Sequence, residues 1–170
     1  MIKGITKEKI AEAAKALIKD NATLKELKGV TNDELEAVYS LAFGYYKTGK
    51  YEEARKLFQF LVLFDHLNAK YWMGLGAAQQ VLKEYKDAVL SYGYCSFLDL
   101  SNPKPQLHAA ECFIAMGDRL NAASSLEALN EFCPQNTDIG REYRAKAAEL
   151  RKAIGEEAFA KLAEMDAKSA

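Results

Sequence analysis

Two histidines, His66 and His108, and three cysteines, Cys95, Cys112 and Cys133, are the residues of this chain best suited to chemistry. Imidazole is the commonest acid/base group near neutral pH, and thiolates together with imidazoles bind zinc or act as nucleophiles. Each of those uses needs partners at set spacing. The chain has no Cys-x-x-Cys pair, no His at ligand spacing from a Cys, no H-E-x-x-H, no G-x-S-x-G and no Gly-rich phosphate loop. His66 stands between Asp65 and Asn68 at a turn between helices, where capping and packing are the ordinary uses, and His108 lies early in a helix beside Leu107. Glu52 and Glu53, like Glu156 and Glu157, are sequence neighbours, so on a helix they diverge instead of converging as an acid and a base. These residues predict no enzyme, no metal and no cofactor.

Composition narrows the class further. With 170 residues, 49% of them hydrophobic and 28% charged, the chain is expected to form one ordinary globular domain with a sizeable core. A formal charge of -1 leaves no basic surface for phosphate neutralisation, so nucleic acid is not an expected partner. The N-terminal run MIKGITKEKI carries charges where a signal peptide is apolar, and no stretch approaches membrane-spanning length. A cytoplasmic protein with reduced, packed cysteines and no membrane insertion is the expectation.

The elements that position any site are organised around Ala69 to Ala88, AKYWMGLGAAQQVLKEYKDA. Trp72, Leu75, Gly76 and Ala88 match the tetratricopeptide pattern W-x2-L-G…A, with Trp and Leu filling the space between two helices and the small residues allowing close approach. One repeat length of about 34 residues earlier stand Leu41, Ala42, Tyr45, Ala54 and Phe58; one later stand Ala109, Ala110, Phe113, Ala122, Leu126 and Pro134. The recurrence predicts an all-α solenoid of three helix-turn-helix repeats, about 35–68, 69–102 and 103–136, within a repeat region 31–134. Capping boxes at Thr23/Glu26 and Thr31/Glu34 open a short turn and the first long helix. Breaks are expected near Gly49, Lys83 and Gly117, and Pro103 and Pro105 suit the start of the third repeat, with its helices over Gln106 to Met116 and Arg119 to Phe132.

Two extensions flank the repeats. Residues 1–30 include an amphipathic helix, Thr6 to about Lys19, whose stripe Ile10, Ala14, Leu17 and Ile18 would pack on the first repeat or on a second copy of the chain. Residues 137–170 hold a capping helix from Asp138 to Ile154, a bend at Gly155 and a loosely held helical tail.

Stacked helix pairs of this type curve, and their first helices line the concave side. Helical spacing puts Tyr39, Phe43 and Tyr46, then Lys70, Met73, Ala77 and Gln80, then Leu107, Glu111 and Ile114 on that wall. An apolar, aromatic wall of this kind suits an extended peptide, with Lys70, Gln80 and Glu111 available to its polar groups. The alternative is that part of the set belongs to the core under a folded-over terminal helix.

The segments ATLKEL, LEAVYSLAFGYYKTGKYEEARKLFQFL, LFDHLNAKYWMGLGAAQQ and HAAECFIAMGD, in this order and register, resemble the class II chaperones of bacterial type III secretion systems. The similarity is close over about Ala22 to Ala122 and looser at both ends. It implies an all-helical three-repeat chaperone that keeps hydrophobic, pore-forming translocators in the bacterial cytoplasm before secretion. A client segment of the form Pro-x-Leu-x-x-Pro would lie in the groove formed by Tyr39, Phe43, Tyr46, Met73 and Ala77. It also implies self-association, as a homodimer, through the N-terminal helix; some members work with a transcriptional activator. The competing reading is an adaptor or co-chaperone that grips a carboxylate terminus. Such a clamp needs Lys, Arg and Asn converging on the concave face, where this chain places Tyr, Phe, Met and Leu.

Overall fold

Each long helix begins and ends where local chemistry requires. The computed structural model describes residues 22–169. Helix α1 (Leu24–Lys28) opens on the Thr23/Glu26 capping box and stops at Gly29, φ 68°. Helix α2 (Asn32–Lys47) opens on a second box, in which the Thr31 N–H donates to the Glu34 carboxylate at 2.8 Å and the Thr31 hydroxyl accepts from the Glu34 N–H at 3.2 Å. Two of the orphan donors of the first turn are thereby satisfied reciprocally.

Helices α3 (Tyr51–Phe64), α4 (Ala69–Val81), α5 (Tyr85–Leu98), α6 (Lys104–Ala115) and α7 (Arg119–Phe132) follow as alternating partners. The turns α2–α3, α4–α5 and α6–α7 pass through the left-handed region at Gly49 (φ 80°), Lys83 (φ 63°) and Gly117 (φ 76°). The middle turn therefore keeps its conformation with a residue that has a Cβ, which costs about 1–2 kcal/mol relative to glycine. Helix α6 begins two residues earlier than the sequence pattern predicts, with Pro103 at the cap and Pro105 buried in the first turn.

Glycine sets the spacing at the centre of the stack. A Cβ on Gly74 would lie 2.4 Å from the Phe58 ring on α3, and one on Gly76 would lie 2.7 Å from the Tyr92 ring on α5. Both faces of α4 are thus docking sites for aromatic rings. Ala42, Ala54, Ala78, Ala88, Ala110 and Ala122 are fully buried, as close-packed helix pairs require.

Two expectations about packing need correction. Leu41 is half exposed, although its equivalents Leu75 and Ala109 are buried. That position faces the preceding helix pair, and among the described residues none precedes α2. Trp72 is only half-buried: its indole N–H donates to the His66 carbonyl at 2.7 Å and its ring stacks on Tyr94 at 4.6 Å, so it clamps the α3–α4 turn.

The C-terminal end is closed by α8 (Asp138–Ile154) and α9 (Glu156–Ser169), joined at Gly155, φ 88°. Thr137 caps α8 by accepting from the Gly140 N–H at 3.0 Å. The tail is not loosely held. Phe159 on α9 is buried in one cluster with Leu126, Leu129, Ala147 and Ile154, and the Arg151 guanidinium lies 3.7 Å over its ring while pairing with Glu127 and Glu156. An aromatic anchor and a shared arginine hold what the Ala/Lys/Glu composition made look detachable. The stripe Ile10, Ala14, Leu17 and Ile18 lies outside the described residues.

Candidate functional site

The candidate groove starts from Tyr39 on α2. Its ring stacks parallel to Phe43 at 6.2 Å, meets Phe58 edge-on at 5.9 Å and leans on Tyr71 at 6.0 Å. Phe58 and Tyr71 are buried, so Tyr39 is fixed from below and Phe43 extends the wall into solvent. Tyr46 stands one turn further on, edge-on to Tyr51 at 5.4 Å, and burial pushes its phenol above the ordinary value. It stays neutral at physiological pH.

Opposite this wall, α4 supplies Lys70, Met73, Gly74 and Ala77, and the buried Phe58 ring packs against Gly74 at the floor. The enclosed space is about 500 Å³. Its lining is mixed: beside the aromatic rings stand Asn68, Asp99, Asn102 and Lys104, with Cys95 among them. Burial raises the Cys95 thiol to about 11, so it contributes an apolar surface and no thiolate.

Of the residues expected on the wall, Tyr39, Phe43, Tyr46, Lys70, Met73 and Ala77 come together around this one space. Lys70 is already engaged: its ammonium pairs with Glu36 at 2.8 Å and sits 3.8 Å over the Tyr39 ring. Gln80 and Glu111 lie outside the space and are bonded to each other, Gln80 Nε2 donating to Glu111 at 2.9 Å. The Tyr92 hydroxyl donates to Gln80 Oε1 at 2.6 Å, and His108 Nδ1 lies 2.9 Å from Glu111. The hydrogen bond from His108, with that from Gln80, holds the Glu111 carboxyl below its ordinary value against the opposing effect of burial. These groups tie α4, α5 and α6 together. Leu107 is buried against Ala110 and Leu126 in the C-terminal core, and Ile114 packs at its edge, so neither adds to the wall.

The polar part of the lining was not anticipated, though a signal existed. Asn68 and Asn102 occupy one repeat position, and each accepts from the backbone N–H two residues on, at 3.1 Å. Asn68 is the cap of α4 and Asn102 stands just before the Pro103 cap of α6, and both also line the groove space. The His66 carbonyl receives the Trp72 indole N–H, and the His108 ring stacks on Tyr92 at 5.4 Å while its Nδ1 pairs with Glu111. Among the described residues no three His, Cys, Asp or Glu side chains converge on a metal position, and no helix is long and apolar enough to cross a membrane.

The tetratricopeptide repeat family model matches residues 35–68 and 69–102. The low calcium response locus protein H of Yersinia pestis is 35% identical over 142 residues, 84% of each chain. Among solved structures, a type III secretion complex from Aeromonas hydrophila superposes with a TM-score of 0.78 at 34% identity, covering 84% of this chain and 95% of that one. The Yersinia enterocolitica type III secretion chaperone SycD, in complex with a peptide of the translocator YopD, superposes with a TM-score of 0.69 at 37% identity, covering 74% and 95%. SycD is also known as an alternative dimer.

Proposed function

This chain belongs to the tetratricopeptide-repeat translocator chaperones of type III secretion systems, and from that premise we propose that it holds an extended segment of a hydrophobic, pore-forming translocator in the groove between α2 and α4. The observation that carries the proposal is the aromatic wall: Tyr39 is locked by Phe58 and Tyr71, and it presents Phe43 beside a space of about 500 Å³. A preformed pocket of fixed rings takes Pro and Leu side chains with little reorganisation, which offsets part of the entropy an extended segment loses on binding. Asn68, Asn102 and Lys104 in the same lining are available to main-chain and acidic groups of the client.

On this reading the chain acts as a holding protein in the bacterial cytoplasm, as a homodimer. We assign residues 1–30 as the N-terminal extension, 31–134 as the repeats that build the groove, and 137–170 as the closing cap. Titration calorimetry with a Pro-x-Leu-x-x-Pro peptide tests the groove. The wild-type chain is expected to bind and Phe43→Ala to bind more weakly; equal affinities would remove the groove from the mechanism.

A further inference from the structure

The back of the molecule carries a second apolar surface that the groove does not use. On α5, Leu90, Tyr94 and Phe97 keep 63%, 56% and 78% of their surface in solvent, and Leu63 on α3 keeps 63%. Exposed apolar area of several hundred Å² is roughly the size that marks an interaction site.

Repeat packing does not demand it. Helices α3, α5 and α7 are each 14 residues long and occupy equivalent places. Where α5 has Leu90, the others have Lys56 and Ser124; where it has Gly93, they have Gln59 and Glu127. At the places of Tyr94 and Phe97, α3 has Phe60 and Leu63, both exposed, and α7 has Ala128 and Glu131, so the apolar outer face runs over α3 and α5 and stops at α7. Gly93 adds an independent sign. A Cβ there would meet nothing within 4 Å, so no contact inside the chain requires glycine, yet glycine in a helix interior costs about 1 kcal/mol relative to alanine. Its use is to let something outside the chain approach the helix closely.

The surface is continuous with the groove. Leu67 stands exposed on the α3–α4 turn next to Asn68, which lines the groove mouth, and Leu100 stands exposed on the α5–α6 turn next to Asp99, which lines it too. A chain leaving the groove past Asn68 and Asp99 crosses these turns onto Phe97 and Tyr94. We propose that the outer face of α5 receives an apolar helical segment of the same client whose extended segment lies in the groove, the client crossing over the two turns. The proposal rests on the groove reading. It gives the chaperone two surfaces for one client, an anchor in front and a shield for membrane-destined sequence behind.

Three probes test it: a Pro-x-Leu-x-x-Pro peptide, and the same peptide joined by a short Gly/Ser linker to an amphipathic Leu/Ala/Lys helix of about 20 residues, at its N-terminus in one probe and its C-terminus in the other. One extended probe is expected to bind the wild-type chain at least roughly tenfold more tightly than the short peptide, because the second contact is intramolecular. Phe97→Glu and Gly93→Gln should bind the short peptide as the wild type does and lose that gain. Both changes fall on open surface, and Gly93→Gln restores the residue α3 carries, so melting curves should show folded proteins. No gain with either extension, or a gain unchanged in both variants, overturns the proposal. A gain that persists while Phe97→Glu halves the mass seen by light scattering assigns the face to a second copy of the chain and overturns it likewise. A short peptide that fails to bind the wild type sinks the groove reading instead, and extended-probe binding that still depends on Phe97 would keep the outer face as a client surface.

Discussion

The ring of Tyr92 lies where a side chain on Gly76 would have to be: a Cβ there would stand 2.7 Å from Tyr92 Cε1. Tyr92 cannot retreat easily, since it is buried, stacked on His108 and bonded to Gln80 at 2.6 Å. Gly76→Ala is therefore expected to lower stability by about 1–2 kcal/mol, the overpacking cost outweighing the gain in helix propensity. Gly93→Ala, on open surface, should raise it by up to about 1 kcal/mol. Urea unfolding of the two variants checks the opposite signs.

On the wall, neighbouring aromatic residues should separate into binding and folding roles. Phe43 is 42% exposed and its ring stacks on Tyr39 with the Lys47 ammonium 4.8 Å over it, so Phe43→Ala should cost about 2 kcal/mol of client affinity, roughly thirtyfold, with little change in melting temperature. Tyr39 also touches Phe58 and Tyr71, and Tyr39→Ala should lose both affinity and stability. Peptide titration beside thermal melts of both variants shows whether the division holds.

The repeat register made much of this legible before any coordinates. Small residues at Gly76 and Ala88 and turn breaks at Gly49, Lys83 and Gly117 are local requirements of one unit, so they recur and can be read by comparison within the chain. What escaped was set by ends and by pairs. Leu41 has the sequence of a core position but no helix pair before it to cover it among the described residues. Gln80 and Glu111 were assigned to the wall by helical angle, but angle does not reveal that they are bonded to each other across two helices. Leu107 also has a wall angle, but it is buried in the cluster that α7, α8 and α9 build over the last repeat.

Docking of the tail should be measurable. Phe159 is buried beside Ile154 and Ala147 under the Arg151 guanidinium. Phe159→Ala is expected to cost about 3 kcal/mol, as for other buried phenylalanines. A urea midpoint equal to that of the wild type would return α9 to the status of a loose end.

Acidity should weaken the link between α4 and α6. The Glu111 carboxyl is held below its ordinary 4.5 chiefly by the hydrogen bond from His108. A group whose folded value is lowered contributes its stabilisation fully above its unfolded value and loses it as pH falls through the folded one. Glu111→Gln should therefore be less stable than the wild type at pH 7, and the difference should shrink below about pH 4. Unfolding curves at pH 7 and pH 3.5 test this, and a difference independent of pH would show that the charge of Glu111 contributes nothing.

Finally, the cysteines should report on opening of the stack. Cys95, Cys112 and Cys133 are free and buried, and burial pushes the Cys95 and Cys112 thiols to about 11 and about 12. The thiolate is the reactive form, so at pH 8 both access and ionisation oppose modification of Cys95 and Cys112. A thiol reagent such as dithionitrobenzoate should react slowly with the native chain and promptly with all three thiols in urea. Because Cys95 alone of the three lines the groove, a bound Pro-x-Leu-x-x-Pro peptide should slow its modification further while leaving Cys133 at its native rate. Mass-spectrometric mapping of the labelled residue with and without peptide separates the two, and equal protection of both cysteines would mean that the peptide stabilises the whole stack without occupying the groove.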